Sequence, residues 1–454
     1  MTRPPLSWLG IIRLGLVQTA LGSIVVLTTS TINRVMVVEL ALPAMLPGAL
    51  VGLHYAIQIL RPRLGHGSDA GGRRTPWIVG GMATLACGGV GAACATAWIV
   101  GNPFLGIALA VIAFLAIGVG VGCAGTSLLV LLATRVSPRR RPAAATIVWV
   151  MMIVGFILTS AIGGRFLDPF SPERLVQVAA CVSLIAFSVS LLAVLGVEGA
   201  REAIALPAPE DAGTQASDRV AGGFRAALAE VWGEPQARQF AIFVFMSMLA
   251  YSAQDLILEP FAGLVFDLTP GQTTQLSGVQ NSGVLVGMVL VALLGTGIGG
   301  PRFGSLRAWI ILGCVGSAVA LAGLSAAGFV GVDWPLRANV FALGFANGVF
   351  AVAAIGSMMG LAGEGTTARE GVRMGLWGAA QAIAFGAGSF VGTMAVDLVR
   401  WLTAAPVLAY SIVFAIEAVL FVLSALRAPA RVPVDESVPA FNSRPASATA
   451  TSAA

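Results

Sequence analysis

His54, Gln58 and Arg61 are spaced by four and then three residues, and Asp255 and Glu259 by four, so each set falls on one face of a helix. An imidazole so placed has two open roles, a hydrogen bond to a neighbour or ligation of a metal through a ring nitrogen. Two carboxylates on one face disfavour double ionisation and can share a proton. Asn33 and Arg34 close a polar run that begins at Thr28, and Glu39 is expected to open the next segment. An ion pair between Arg34 and Asp255 or Glu259 is expected, either as a structural latch or as part of a gate or ligand site. The sequence holds no GxxxxGK[ST] loop, no dinucleotide fingerprint in strand–helix context and no zinc-type ligand set. The expected chemistry is therefore binding, ion pairing or proton holding, and not enzymatic catalysis.

The elements that carry these residues are long and apolar. Of 454 residues 57% are hydrophobic and 10% charged, with mean hydropathy +0.90; a soluble domain carries about 25% charged residues. The apolar residues come in blocks of about twenty, the length that crosses a bilayer. The expected fold is all-α, a polytopic membrane protein with twelve transmembrane helices near 10–31, 40–60, 76–98, 104–133, 143–164, 174–197, 238–258, 276–298, 306–328, 335–360, 371–396 and 403–427. Charged groups inside such spans are functional candidates because the bilayer makes them costly.

Residues 198–237 are the longest connector, rich in Ala, Pro, Glu, Asp and Gly, with a short interfacial helix expected around Phe224 to Trp232. They are expected to be a cytoplasmic linker between an N-terminal six-helix half, 1–197, and a C-terminal six-helix half, 238–427. A disordered cytoplasmic tail is expected over 428–454. All 26 basic residues are Arg. Arg34, Arg165, Arg174, Arg337 and Arg400 fall on one side of the twelve-helix map and the others on the side of the N-terminus, so the positive-inside rule puts both termini in the cytoplasm. The Arg excess is a topology signal, and no nucleic-acid partner is expected. The absence of a cleavable signal peptide is expected from the length of the first block.

The five cysteines, Cys87, Cys94, Cys123, Cys181 and Cys314, are expected to be small buried hydrophobes. Glycine, at 56 residues, is expected to let helices approach closely, as at Gly283 and Gly287 or across Gly118, Gly120, Gly122 and Gly125. A sharper alternative is a glycine-lined surface that receives a flat ligand or another protein's helix.

The connector after the second helix, with Gly65, Asp69, Gly72, Arg73 and Arg74, resembles the signature loop that major-facilitator proteins carry between helices two and three; Ala70 stands where an Arg often sits. Its expected role is to accept hydrogen bonds from a helix N-terminus at Asp69 and to hold acidic groups or lipid phosphates at Arg73 and Arg74. Gly299-Gly-Pro-Arg302-Phe-Gly304 is a degenerate echo of it between helices eight and nine, where an internal repeat would fall.

Four stretches carry a narrower resemblance: Leu27 to Glu39, His54 to Trp77, Ala253 to Gly263 and Met374 to Gln381. Over roughly 6–425 the chain resembles the light-harvesting complex assembly and bacteriochlorophyll-delivery family, a branch of the major facilitator superfamily. The first stretch resembles members associated with light-harvesting complex one. The resemblance implies an antenna assembly factor in the bacterial inner membrane or intracytoplasmic photosynthetic membrane, with bacteriochlorophyll as suspected cofactor. It implies light-harvesting alpha and beta polypeptides as partners, with membrane lipid, and the reaction centre or pigment-synthesis enzymes as further candidates. It supplies no catalytic residue. Asn33, Arg34, Glu39, His54, Gln58, Asp255 and Glu259 remain candidates for a pigment site or central cavity, His54 among them as a ligand to a tetrapyrrole magnesium. A proton- or ion-coupled small-molecule transporter is the alternative reading.

Overall fold

A computed structural model describes residues 6–58, 73–137, 140–198, 232–294, 305–362 and 370–428. These form twelve helices: α1 (Trp8–Glu39), α2 (Met45–Ile57), α3 (Thr75–Ile99), α4 (Pro103–Arg135), α5 (Arg141–Leu167), α6 (Pro172–Val194), α7 (Pro235–Phe266), α8 (Pro270–Leu293), α9 (Leu306–Val330), α10 (Leu336–Ala362), α11 (Glu370–Thr403) and α12 (Pro406–Leu426). Eleven are long and apolar enough to cross a membrane, and α2 is a shorter apolar helix. No strand occurs among the described residues. Of the signature loop only Arg73 and Arg74 are described. Gly65, Asp69, Gly72, Arg61, the half-echo, nearly all of the expected linker and nearly all of the tail lie outside the described residues.

Local chemistry sets the helix starts. Pro occupies the first turn of α3 to α8 and of α12, where its missing N–H has no intrahelical partner to lose. Side chains of Ser7, Asn102, Ser171, Thr269 and Ser305 cap the starts of α1, α4, α6, α8 and α9. At α3 the cap comes from elsewhere in the chain. The Glu198 carboxylate, beyond the end of α6, accepts from the backbone N–H of Arg74 at 2.8 Å and of Thr75 at 2.7 Å. Burial alone would raise this carboxyl, but the nearby Thr75 hydroxyl, the two backbone donors and the Arg73 charge outweigh burial and hold it below the ordinary glutamate range. A lowered folded value stabilises at pH above the unfolded value, and the contribution is lost as pH falls through the folded one. Glu198→Gln should therefore lower Tm by about 2 °C at neutral pH. The gap from the wild type should close on acidification below about pH 4. A gap that stays constant between pH 7 and pH 3 would contradict this cap.

Helix packing repeats at an offset of six. α1 lies on α5 and α6, as α7 lies on α11 and α12; α2 on α4, as α8 on α10; α3 on α4 and α6, as α9 on α10 and α12. Across the two sets α2 meets α11 and α5 meets α8, which exchange under the same offset. One hydrophobic core fills each set, with Phe240, Phe243, Phe261, Phe350, Phe414 and Phe421 in the second. Glycines permit the tightest seams. A Cβ at Gly81 would lie 2.6 Å from Ala124 N, and one at Gly120 2.6 Å from Leu85 N, across α3 and α4. Across α8 and α10, Gly283 and Gly287 abut the carbonyls of Phe341 and Phe345, while Gly344 and Gly348 abut those of Gln280 and Val284. The packing role expected for Gly283 and Gly287 is the one they take.

Two expectations are corrected. α1 and α7 run well past residues 31 and 258, because the polar runs at their ends are enclosed by the other six-helix set and do not need water. Cys123 and Cys314 are buried as expected, but Cys87 and Cys181 are exposed on the outer surface, where lipid accepts a thiol as readily as an alkyl group.

Candidate functional site

The polar run of α1 is helical throughout but widened. Leu27–Thr31 and Val35–Glu39 are π-helical turns flanking Ile32–Arg34, an irregularity that often accompanies functional sites. Thr28, Thr31, Asn33 and Arg34 are all buried, the last three against α7 and α8 and Thr28 beside Gly89 of α3. Thr31 Oγ1 and Thr274 Oγ1 are 2.9 Å apart, and Asn33 Nδ2 donates to the Leu256 carbonyl at 2.6 Å. Arg34 Nη2 donates to the Leu268 carbonyl at 2.7 Å, and its guanidinium lies on Gly263, where a Cβ would sit 2.9 Å from Nη2.

The expected ion pair takes a different partner. Arg34 pairs with Glu39 on its own helix. Glu39 ends α1 and does not open α2, and the π-turns bring it back over Arg34. Asp255 and Glu259 do share a face, which they turn to α8: Asp255 accepts from Gln280 Nε2 at 3.2 Å, and Glu259 accepts from the Ser277 hydroxyl. Neither forms an ion pair among the described residues.

His54 and Gln58 are brought together as their spacing requires. His54 Nε2 lies 2.9 Å from Gln58 Nε2, and the imidazole meets the Tyr55 ring edge-on at 4.8 Å. His54 is 2% exposed. A ring nitrogen that ligates a tetrapyrrole magnesium needs a flat space the width of the macrocycle above it. This imidazole, enclosed and engaged by Gln58, does not offer one, so it does not fit the role of axial ligand.

Two carboxylates outside the expected helices, with no signal in the sequence to mark them, join the two helix sets. Asp168, after α5, accepts from Thr269 Oγ1 at 2.6 Å and Gly271 N at 3.2 Å, at the start of α8. Asp397, in the last turns of α11, accepts from Ala44 N at 3.0 Å and Met45 N at 2.7 Å, at the start of α2. The offset of six maps α5 onto α11 and α8 onto α2, so the two caps are mates. They sit at the same end of the bundle as the Arg34 contacts, opposite the start of α1. Asp168→Asn and Asp397→Asn should each cost about 1 kcal/mol by weakening a helix cap. Together they should speed thiol labelling of a cysteine placed at buried Thr274. Unchanged labelling in the double variant would show that the caps do not hold this end shut.

With this geometry in hand, the comparisons with known proteins are specific. A family profile described as PUCC protein matches residues 31–432. The chain belongs to the PucC family. Relatives agree: the "Bacteriochlorophyll synthase 44.5 kDa chain" of Rhodobacter capsulatus is 53% identical over 428 residues, 93% of this chain and 95% of that one. "Protein PucC" of Cereibacter sphaeroides is 31% identical, over 83% of this chain and 81% of its own length. This member of the PucC family also has the fold of solved major-facilitator transporters. A D-xylose-proton symporter superposes with TM-score 0.67 at 17% identity, over 93% of this chain and 97% of its own. A peptide transporter of the POT type superposes with TM-score 0.68 at 13% identity, over 94% and 96%. At such identities the likeness concerns the fold alone. This PucC-family chain is thus a multi-pass, all-α membrane protein of major-facilitator architecture.

Proposed function

We propose that this chain is a non-enzymatic assembly factor for the bacterial light-harvesting antenna, light-harvesting complex one in particular. It handles or delivers bacteriochlorophyll and guides the antenna alpha and beta polypeptides, which cross the membrane once. The observation that carries this reading is the PucC family match across residues 31–432. The name of the 53% identical relative, which refers to bacteriochlorophyll, supports the pigment part. The physical logic is that an apolar, photoreactive pigment is best passed within the bilayer. The protein would reside in the inner or intracytoplasmic photosynthetic membrane with both termini in the cytoplasm, as the Arg asymmetry supports. The enclosed His54 directs the pigment reading away from axial ligation at that residue, toward the outer, lipid-facing surfaces that also suit partner helices.

The second reading is a proton- or ion-coupled transporter, favoured by the carboxylates at Asp255 and Glu259 and by the fold. Purification in mild detergent separates the two. Under the assembly reading the protein carries a bacteriochlorophyll absorbance band and co-purifies with antenna polypeptides, and His54→Leu keeps the band. Colourless protein without antenna chains that shows substrate-dependent proton flux in proteoliposomes would overturn assembly in favour of transport.

A further inference from the structure

α12 runs Pro-Val-Leu-Ala-Tyr-Ser-Ile-Val-Phe-Ala-Ile-Glu-Ala-Val-Leu-Phe-Val-Leu-Ser-Ala-Leu, and Glu417, near its middle, is its one charged residue. A charge at the centre of a membrane helix is costly, so such residues face the bundle interior and carry a function by default. Glu417 is 2% exposed, and neither carboxylate oxygen has a hydrogen-bond partner. Nothing in the sites described so far uses it.

The neighbouring rings fix what faces it. Phe261 of α7 packs on Tyr410 of α12 with ring centroids 5.9 Å apart, and on Phe414 at 5.1 Å. The two helices are antiparallel. Seven residues before Phe261 is Gln254, and seven after Tyr410 is Glu417. Each step is two turns, about 10.5 Å along the same direction of the bundle. Gln254 and Glu417 therefore lie on facing sides of one layer. Gln254 is fully buried, and its Oε1 and Nε2 both lack partners. Two helices thus deliver two unpartnered polar side chains to one apolar layer. One residue along α7, the part-exposed Asp255 turns to Gln280.

We propose that Glu417 is a proton-binding site enclosed within the second six-helix set, and that Gln254 links it to Asp255. A protonated carboxyl offers one O–H donor and one carbonyl acceptor, which match the Gln254 acceptor and donor; an ionised one offers acceptors only. The two side chains do not hydrogen-bond to each other in this arrangement; rotation toward each other would let the protonated pair satisfy all four buried polar atoms, at no charge to the apolar layer. In exchange, the Asp255 carboxylic acid loses a proton and becomes a carboxylate while the Glu417 carboxylate gains it and becomes neutral. The titratable or charged residues on the helices packed against α12 are Arg238, Tyr251, Asp255 and Glu259 of α7, Arg307 and Cys314 of α9, and Glu370, Arg373, Asp397 and Arg400 of α11. Tyr410 is on α12 itself. Of the carboxylates among these, Glu259 accepts from Ser277, Asp397 lies at the cap of α2, and Asp255 stands next to Gln254 in the chain. This inference stands apart from the assembly reading, since it needs neither pigment nor antenna chains.

The test is infrared spectroscopy of the purified full-length chain in nanodiscs, titrated in pH without added ligand. The expected result is a protonated-carboxyl carbonyl band present at neutral pH, lost in Glu417→Gln and displaced in its pH midpoint by Asp255→Asn. Gln254→Leu, which removes the link, should shift the band frequency and slow its exchange with heavy water. Glu417→Gln is the neutral isostere of the protonated form and should keep the wild-type Tm, so its failure to fold would overturn the proposal by showing that the charge is required. A wild-type spectrum with no band at neutral pH removed by Glu417→Gln would overturn it too. So would a band that neither Asp255→Asn nor Gln254→Leu moves.

Discussion

Replacing Arg34 by methionine should destabilise the protein by about 2–3 kcal/mol, while Arg34→Lys costs less and Glu39→Gln less again. The guanidinium is 3% exposed and serves three purposes at once: it pairs with Glu39, donates to the Leu268 carbonyl and fills the space over Gly263. Breaking a buried pair by removing one partner costs 3–5 kcal/mol. Glu39 is 33% exposed, so water relieves part of its isolation and the loss falls below that range. Methionine keeps most of the stem volume, which confines the loss to polar contacts. Lysine keeps the charge but cannot reach Glu39 and Leu268 with one planar fork. Thermal unfolding of the single variants and of Arg34→Met with Glu39→Gln closes a double-mutant cycle. A coupling of 1 kcal/mol or more is the expected result. Additive effects would mean that the pair contributes nothing and that Arg34 acts only through Leu268 and packing.

The helices were legible in the sequence because hydrocarbon permits few alternatives: a backbone that crosses it must satisfy its own hydrogen bonds. The face shared by His54 and Gln58 followed from helical spacing alone, and so did the face shared by Asp255 and Glu259. The partners of those faces did not follow. Arg34 was matched with Asp255 and Glu259 because charges opposite in sign and similar in depth invite pairing. Two π-turns, which leave no clear mark in residue type, bring Glu39 into reach instead. Asp168 and Asp397 fall between expected helices and carry no signal of their role, since the helix starts they cap lie 103 and 353 residues away in the chain. Glu417 was visible in principle as a lone charge in an apolar block. What faces it was not legible, because Gln254 lies on another helix 163 residues earlier in the chain and no spacing connects the two.

Gly344→Val should have the largest effect of any single substitution, a loss of more than about 3 kcal/mol. A Cβ at Gly344 overlaps the Gln280 carbonyl, and the neighbouring contact of Gly348 with the Val284 carbonyl leaves α10 no room to slide along α8. The atoms it would meet are backbone, which cannot rotate away as a side chain would. Overpacking a well-filled core costs 1–3 kcal/mol even where side chains yield, and here helices must separate. That separation also removes the Cα–H···O contacts that close glycine seams allow. It would shift Gln280 as well, and with it the hydrogen bond to Asp255. Gly378→Ala is the control: its Cβ would meet nothing within 4 Å, so it should leave stability unchanged or raise it slightly. The measurement is the monodisperse fraction and Tm of each variant in the same detergent. Wild-type behaviour of Gly344→Val would mean that α8 and α10 do not pack through this seam.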